Sequence, residues 1–194
     1  MTEADPAGQR RMQLRGLHHV TLICRDLNRT TAFYRDLLGL ALVSEATNDD
    51  DPGTRHFYFG DAEGTPGTLL SFLEYPSLPP GTVGTGSTHH IALSVGSDEE
   101  QVAWRDYLRS RGIECTDVYD RGAMRSVYLR DPDGHILEIA TIGPGFGRGA
   151  APGPAVSAGP PGSTGPPASI FTNPACASAR SGSGVPGSVA RCCR

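Results

Sequence analysis

Apolar positions along the chain follow two periods, and the same order of periods occurs twice. From Leu17, two histidines lead into a mostly alternating run, "LHHVTLIC", which predicts a strand because alternate residues of a strand face opposite sides. A stretch with helical spacing follows over Arg29 to Leu38, with Gly39 as its stop. Three further strand-like segments come next: Ala41–Ala46, Thr54–Phe59 and Thr68–Tyr75. From Thr88 the series starts again with "THHIALSV". It continues with a helix over Glu99 to Arg111, a stop at Gly112, and strands at Glu114–Tyr119, Arg125–Arg130 and His135–Ile142. Turn chemistry separates the segments at Asp51-Pro52-Gly53, at Thr65-Pro66-Gly67 and at Asp131-Pro132-Asp133-Gly134.

The repeating unit is therefore βαβββ, and the fold class is α+β. Neither half can cover its sheet alone, so two modules are expected to pair into a cupped, mainly antiparallel sheet around a metal site. The modules span 14–76 and 87–146 of a domain covering 14–146. Residues 1–13 read as a flexible N-terminus. From 147 to 194 Gly, Pro, Ala and Ser dominate and acidic residues vanish, so this stretch is expected to be a disordered tail.

Composition narrows the function classes. No run approaches the roughly 18 apolar residues that a membrane helix needs. A net charge of −4 gives no reason to expect nucleic acid or an anionic membrane as partner. The cysteines Cys24, Cys115, Cys176, Cys192 and Cys193 have no zinc-knot spacing, which favours a reducing cytoplasm.

Candidate chemistry comes from the repeat. Only one member of His18-His19 and one of His89-His90 can face a shared cavity, and the repeat matches His19 to His90. Aligning "GHILEIATI" with "GTLLSFLEY" places Glu138 opposite Ser71. Glu138 lies between Leu137 and Ile139 in a strand otherwise fit for a core. A carboxylate there needs a cation or a strong donor, either a metal or an arginine. Two imidazoles and one carboxylate form the facial triad associated with non-haem Fe(II). Mn(II), Zn(II) and Ni(II) are also compatible with these ligand types. His56 in "RHFYFG" either lines the cavity or faces solvent, and His135 in its turn is expected to be exposed.

These motifs resemble the vicinal oxygen chelate superfamily, which includes glyoxalase I, extradiol dioxygenases and the bleomycin and fosfomycin resistance proteins. "LHHVTLICRDLNRTTAFYRDLLGLALV" and "HHIALSVGSDEEQVAWRDYLRSRGIECTDVYDRGAMRSVYLRDPDGHILEIATIGPGF" are more narrowly similar to the first and last modules of hydroquinone-type ring-cleaving dioxygenases. The resemblance implies iron held by His19, His90 and Glu138, with His89, Arg121 and Tyr128 beside the substrate. It implies an aromatic diol such as a hydroquinone or catechol and O2 as reactants. Such dioxygenases usually carry four βαβββ units, whereas small relatives with two units often dimerise, so a homodimer is expected. Alternatives from the same superfamily are a glyoxalase-I-like lyase or isomerase and a small-molecule-binding resistance protein. The lyase generally needs a second carboxylate, where this chain has Ser71, with Glu74 at the opposite strand parity.

Overall fold

The computed structural model describes residues 13–146. The expected tail at 147–194, and all but the last residue of the expected N-terminal stretch, lie outside them. The chain divides between Pro79 and Pro80 into two units, each with its own four-stranded mixed sheet.

In the first unit the order is β1 (His19–Cys24), α1 (Leu27–Thr31), a π-helical segment (Ala32–Leu37), β2 (Ala41–Asn48), β3 (Asp51–Gly60) and β4 (Leu69–Glu74). The sheet order is β1-β4-β3-β2, with β1 parallel to β4 and the other neighbours antiparallel. Alternation sorts its faces. Leu22, Cys24, Phe57, Phe59, Leu70 and Phe72 are buried together with Leu27, Phe33 and Tyr34 of the helical segment. The Tyr34 ring packs 4.7 Å from Phe72 and 5.9 Å from Phe59.

Two expectations for this unit need correction. The helix begins at Leu27 rather than Arg29, because Asp26 caps it: its carboxylate accepts the Asn28 N–H at 2.8 Å. Beyond Thr31 the helix widens into the π-helical segment, which buries the neighbouring residues Phe33 and Tyr34 together. Asp51-Pro52-Gly53 is not the turn but the start of β3. The turn is Asp49-Asp50, where the Asn48 side chain accepts the Asp50 N–H at 3.3 Å. The β2–β3 register jumps from Asn48↔Asp51 to Thr47↔Arg55, so Pro52, which has no N–H to offer, falls in the bulge.

The second unit runs β5 (Ile91–Val95), α2 (Asp98–Ser110), β6 (Tyr119–Asp120), β7 (Arg125–Arg130) and β8 (Ile136–Thr141). Its sheet order, β5-β8-β7-β6, repeats the first, again with one parallel seam at β5–β8. Ser97 caps α2 by accepting the Glu100 N–H at 3.2 Å. The acidic first turn of Asp98, Glu99 and Glu100 suits the positive end of the helix dipole. Both predicted glycine stops hold: Gly39 and Gly112 have φ of 78° and 74°, a conformation that a side chain would strain.

The strand expected over Glu114–Tyr119 shrinks to Tyr119–Asp120 and an isolated bridge between Cys115 and Leu129. Thr116 is the cause. Its hydroxyl accepts the Tyr128 N–H at 3.0 Å, where a continuing ladder would present a backbone carbonyl. Its own N–H still reaches the Tyr128 carbonyl at 2.9 Å. A side chain has replaced one rung.

The helix and sheet of the second unit are fastened by a residue the periodicity did not single out. Gln101 is fully buried, and its amide nitrogen donates to the carbonyls of Arg125 and Ile139, both at 2.7 Å. It anchors α2 to β7 and β8 at once, one residue from Glu138.

Candidate metal centre

Strand register positions the second unit's side chains. Glu138 on β8 pairs with Ala92 across the parallel seam and with Tyr128 across the antiparallel one. His90 lies two residues before Ala92 and Ser126 two before Tyr128, so a period of two brings His90, Ser126, Tyr128 and Glu138 to one sheet face. The contacts agree. His90 Nε2 stands 2.9 Å from Glu138 Oε2, and the Ser126 hydroxyl donates to Glu138 Oε1. The His90 ring meets Tyr128 edge-on at 5.8 Å.

Glu138 is only 3 % exposed, an environment that penalises an unpartnered charge by about several kcal/mol. Both its oxygens are engaged. His89 lies against the other side of His90, with Nδ1 atoms 2.9 Å apart, so its ring bears on the tautomer and orientation of His90. The Arg121 guanidinium sits over the rings of Tyr119 and Tyr128, at 5.3 Å and 5.8 Å. The structure thus gathers His89, His90, Arg121, Tyr128 and Glu138 in one unit.

His19 belongs to the first unit. Its Nδ1 lies 3.0 Å from that of His18, the same imidazole pairing as at His89-His90. Its ring stands 5.9 Å from Tyr58. Tyr58 pairs with Ser71 across β3–β4 as Tyr128 pairs with Glu138, so it is the counterpart of Tyr128. Ser71 is fully buried and its hydroxyl donates to Thr21 at 2.8 Å, which leaves no carboxylate on this face at that position. His56 shares the face and lies against Tyr58, with ring centroids 4.5 Å apart, while its Nε2 has no hydrogen-bond partner among the described residues. Burial, then the charge of His19, pushes the His56 pKa down and favours the neutral ring.

Glu74 has a different task. It accepts the Leu27 N–H at 2.8 Å and pairs with Arg55 at 3.3 Å, so it anchors the start of α1. His135 is half-buried, where exposure was expected, because its Nδ1 meets Asp131 Oδ2 at 2.9 Å. Burial works against its charged form, yet the hydrogen bond and charge of Asp131, helped by Asp133, raise its pKa.

The His90–Glu138 pair fits a metal ion in donor type and spacing. Two ligands bound about 2.1 Å from an ion at right angles lie about 3 Å apart, and the observed separation is 2.9 Å. Among the described residues no group of three or more His, Cys, Asp or Glu is assembled as a metal cage. The second unit supplies two ligand-type groups and the supports around them.

Sequence reasoning missed Ser126, Tyr58 and Gln101. The first two carried a readable signal, since each alternates with a residue already implicated: Ser126 with Tyr128, and Tyr58 with His56. Gln101 carried only the weak signal of a polar residue on the buried face of a helix.

Two α+β units with matching topology, each with one parallel seam and a polar face beside it, define a duplicated βαβββ protein. The chain belongs to the Glyoxalase/Bleomycin resistance protein/Dioxygenase superfamily, whose family model matches residues 16–139. It is 42% identical over 106 residues to the Bacillus subtilis protein named "Putative ring-cleaving dioxygenase MhqE", covering 55% of this chain and 35% of that one. It is 30% identical over 126 residues to the fosfomycin resistance protein FosX of Listeria innocua, covering 64% of this chain and 87% of FosX. Among solved structures, a Bacillus subtilis protein described as a "putative dioxygenase" superposes with a TM-score of 0.61 at 34% identity, over 65% of this chain and 40% of that one. The chain spans between 35% and 44% of the length of three ring-cleaving dioxygenase relatives from Bacillus subtilis. Among the described residues no helix is long and apolar enough to cross a membrane.

Proposed function

We propose that this chain is a metal-dependent ring-cleaving dioxygenase, with Fe(II) held by His90 and Glu138 of the second unit and by His19 of a first unit. That first unit belongs to the same chain or to a second copy in a homodimer. The observation that carries the reading is the buried Glu138 carboxylate at ligand spacing from His90, with Tyr128 in register beside it and Arg121 over the Tyr128 ring. The similarity to three ring-cleaving dioxygenases supports the reaction class. A FosX structure whose title gives Mn(II) as bound supports a divalent ion in this fold, at a TM-score of 0.50 and 28% identity.

A divalent ion with open positions would bring an aromatic diol and O2 to one centre and relay electrons between them. The chain's own groups do the rest. Arg121 places a permanent positive charge beside Tyr128, which favours an anionic oxygen there. The Tyr128 hydroxyl is then a hydrogen-bond donor to that oxygen. His89, in contact with His90 through Nδ1, is the group we assign to accept or return the diol proton.

The test is anaerobic loading of the full chain with Fe(II), followed by O2 uptake with hydroquinone and catechol. Uptake stoichiometric with ring opening is expected, and no uptake across a panel of diols would overturn the reading. The similarity to FosX supports a second reading, because the match covers 87% of that protein. Turnover of fosfomycin in place of any diol would establish that one.

A further inference from the structure

We infer that Ser126 is a positioning residue that restricts Glu138 to one metal-facing oxygen and so keeps ligand positions open for the reactants. The inference rests on the reading of Glu138 as a ligand. A carboxylate can bind a cation through one oxygen or both, and the two oxygens of Glu138 are not equivalent. Oε2 faces His90 Nε2 at 2.9 Å, whereas Oε1 accepts the hydroxyl of Ser126. Ser126 is fully buried, so turning Oε1 away would strand its hydroxyl without water to replace the bond. The backbone reinforces this, because Ser126 sits in β7 opposite Ala140, two pairs along the antiparallel ladder from Tyr128–Glu138 when counted in residues of β7. The hydroxyl approaches the carboxylate from the side, and the rigid sheet keeps it there.

The first unit supplies an internal control. Tyr58 and Tyr128 occupy equivalent places, so His56 corresponds to Ser126, and Ser71 to Glu138. Where the carboxylate is missing, the small hydroxyl beside it is missing too: Ser71 bonds to Thr21 instead. The restraint accompanies the carboxylate and not the scaffold.

The count of positions gives the restraint its consequence. An ion with about six positions keeps three open when two imidazoles and one carboxylate oxygen bind it, and two when both oxygens bind. A catechol bound through both oxygens and O2 together need three, and a hydroquinone bound through one oxygen leaves a position for water.

Mn(II) bound to the full-length chain is the probe, read by titration and by water-proton relaxation, which reports exchangeable water on the ion. Ser126→Ala should keep Mn(II) affinity within a few-fold while bound-water relaxivity falls by about a third, as three open positions become two. Ser126→Cys, near in size and a weak donor, should shift relaxivity the same way and serves if the alanine variant folds poorly. Unchanged relaxivity in both variants would overturn the inference, as would loss of Mn(II) binding in a folded Ser126→Ala protein. Failure of the unsubstituted protein to bind Mn(II) would instead sink the ligand role of Glu138, and the inference with it.

Discussion

The two units share a scaffold and differ in chemistry, and the differences fall at positions that the register makes equivalent. β1 pairs with β4 as β5 pairs with β8, and Thr21↔Ser71 corresponds to Ala92↔Glu138. In the first unit this pair is two hydroxyls bonded to each other at 2.8 Å. In the second it is a methyl and a buried carboxylate that must find partners elsewhere, and it finds His90 and Ser126. The helices diverge in parallel. Asp26 and Ser97 cap α1 and α2, and four residues later stand Thr30 and Gln101, both buried. Thr30 bonds back to Asp26 within its own helix, whereas Gln101 reaches across to two strands. The unit that carries the costly charge also carries the stronger fastening.

The largest effect should separate the two sheets at their equivalent positions. Glu138→Ala is expected to weaken Mn(II) binding by more than about a hundredfold, beyond what loss of a supporting partner costs. Ser71→Ala should leave it unchanged. Calorimetric titration of both variants checks this. Equal losses would mean that the two faces are not chemically distinct and that the buried carboxylate is only structural.

A smaller effect should separate the helices. Gln101→Leu leaves the carbonyls of Arg125 and Ile139 without their amide donors, at a cost of about 2–3 kcal/mol in stability. Thr30→Val should cost less than about 1 kcal/mol, because the Asp26 carbonyl still accepts the Thr30 N–H at 3.0 Å. Urea unfolding of the two variants measures the difference. If they lose the same stability, the fastening argument fails.

How much of this the sequence could reveal depended on whether a feature was periodic. The duplicated histidines, the alternating strands and the two glycine stops all repeat along the chain, so the βαβββ order and the Ser71–Glu138 equivalence could be read directly. The π-helical widening after Thr31 could not, because it changes hydrogen-bond pattern without changing the apolar stripe. Neither could the rung at Thr116, where a hydroxyl takes a backbone role in a sequence that looks like continuous strand. For Ser126 alternation could give the face but not the partner: Glu138 lies 12 residues away, across an antiparallel register that only the fold fixes. Contacts between side chains across a sheet depend on register, and alternation along one strand does not specify it.

The smallest effect sharpens the comparison at the turn before β8. His135 and Asp131 close the loop 131–135, with Asp131 also accepting the N–H groups of Asp133 and His135 at 3.0 Å and 2.8 Å. The matching turn before β4, at Thr65-Pro66-Gly67, contains no histidine. The pKa of His135 is raised in the folded chain, so the charged ring stabilises the fold fully below its unfolded value of about 6.5. That contribution is lost as pH rises through the higher folded value. Stability measured by urea unfolding should therefore decline more steeply above pH 6.5 in the unsubstituted chain than in His135→Gln, which keeps the size of the side chain but cannot titrate. Matching slopes would mean that the Asp131 contact orients a neutral ring, and the charge of His135 would then add nothing to the order of the turn before β8.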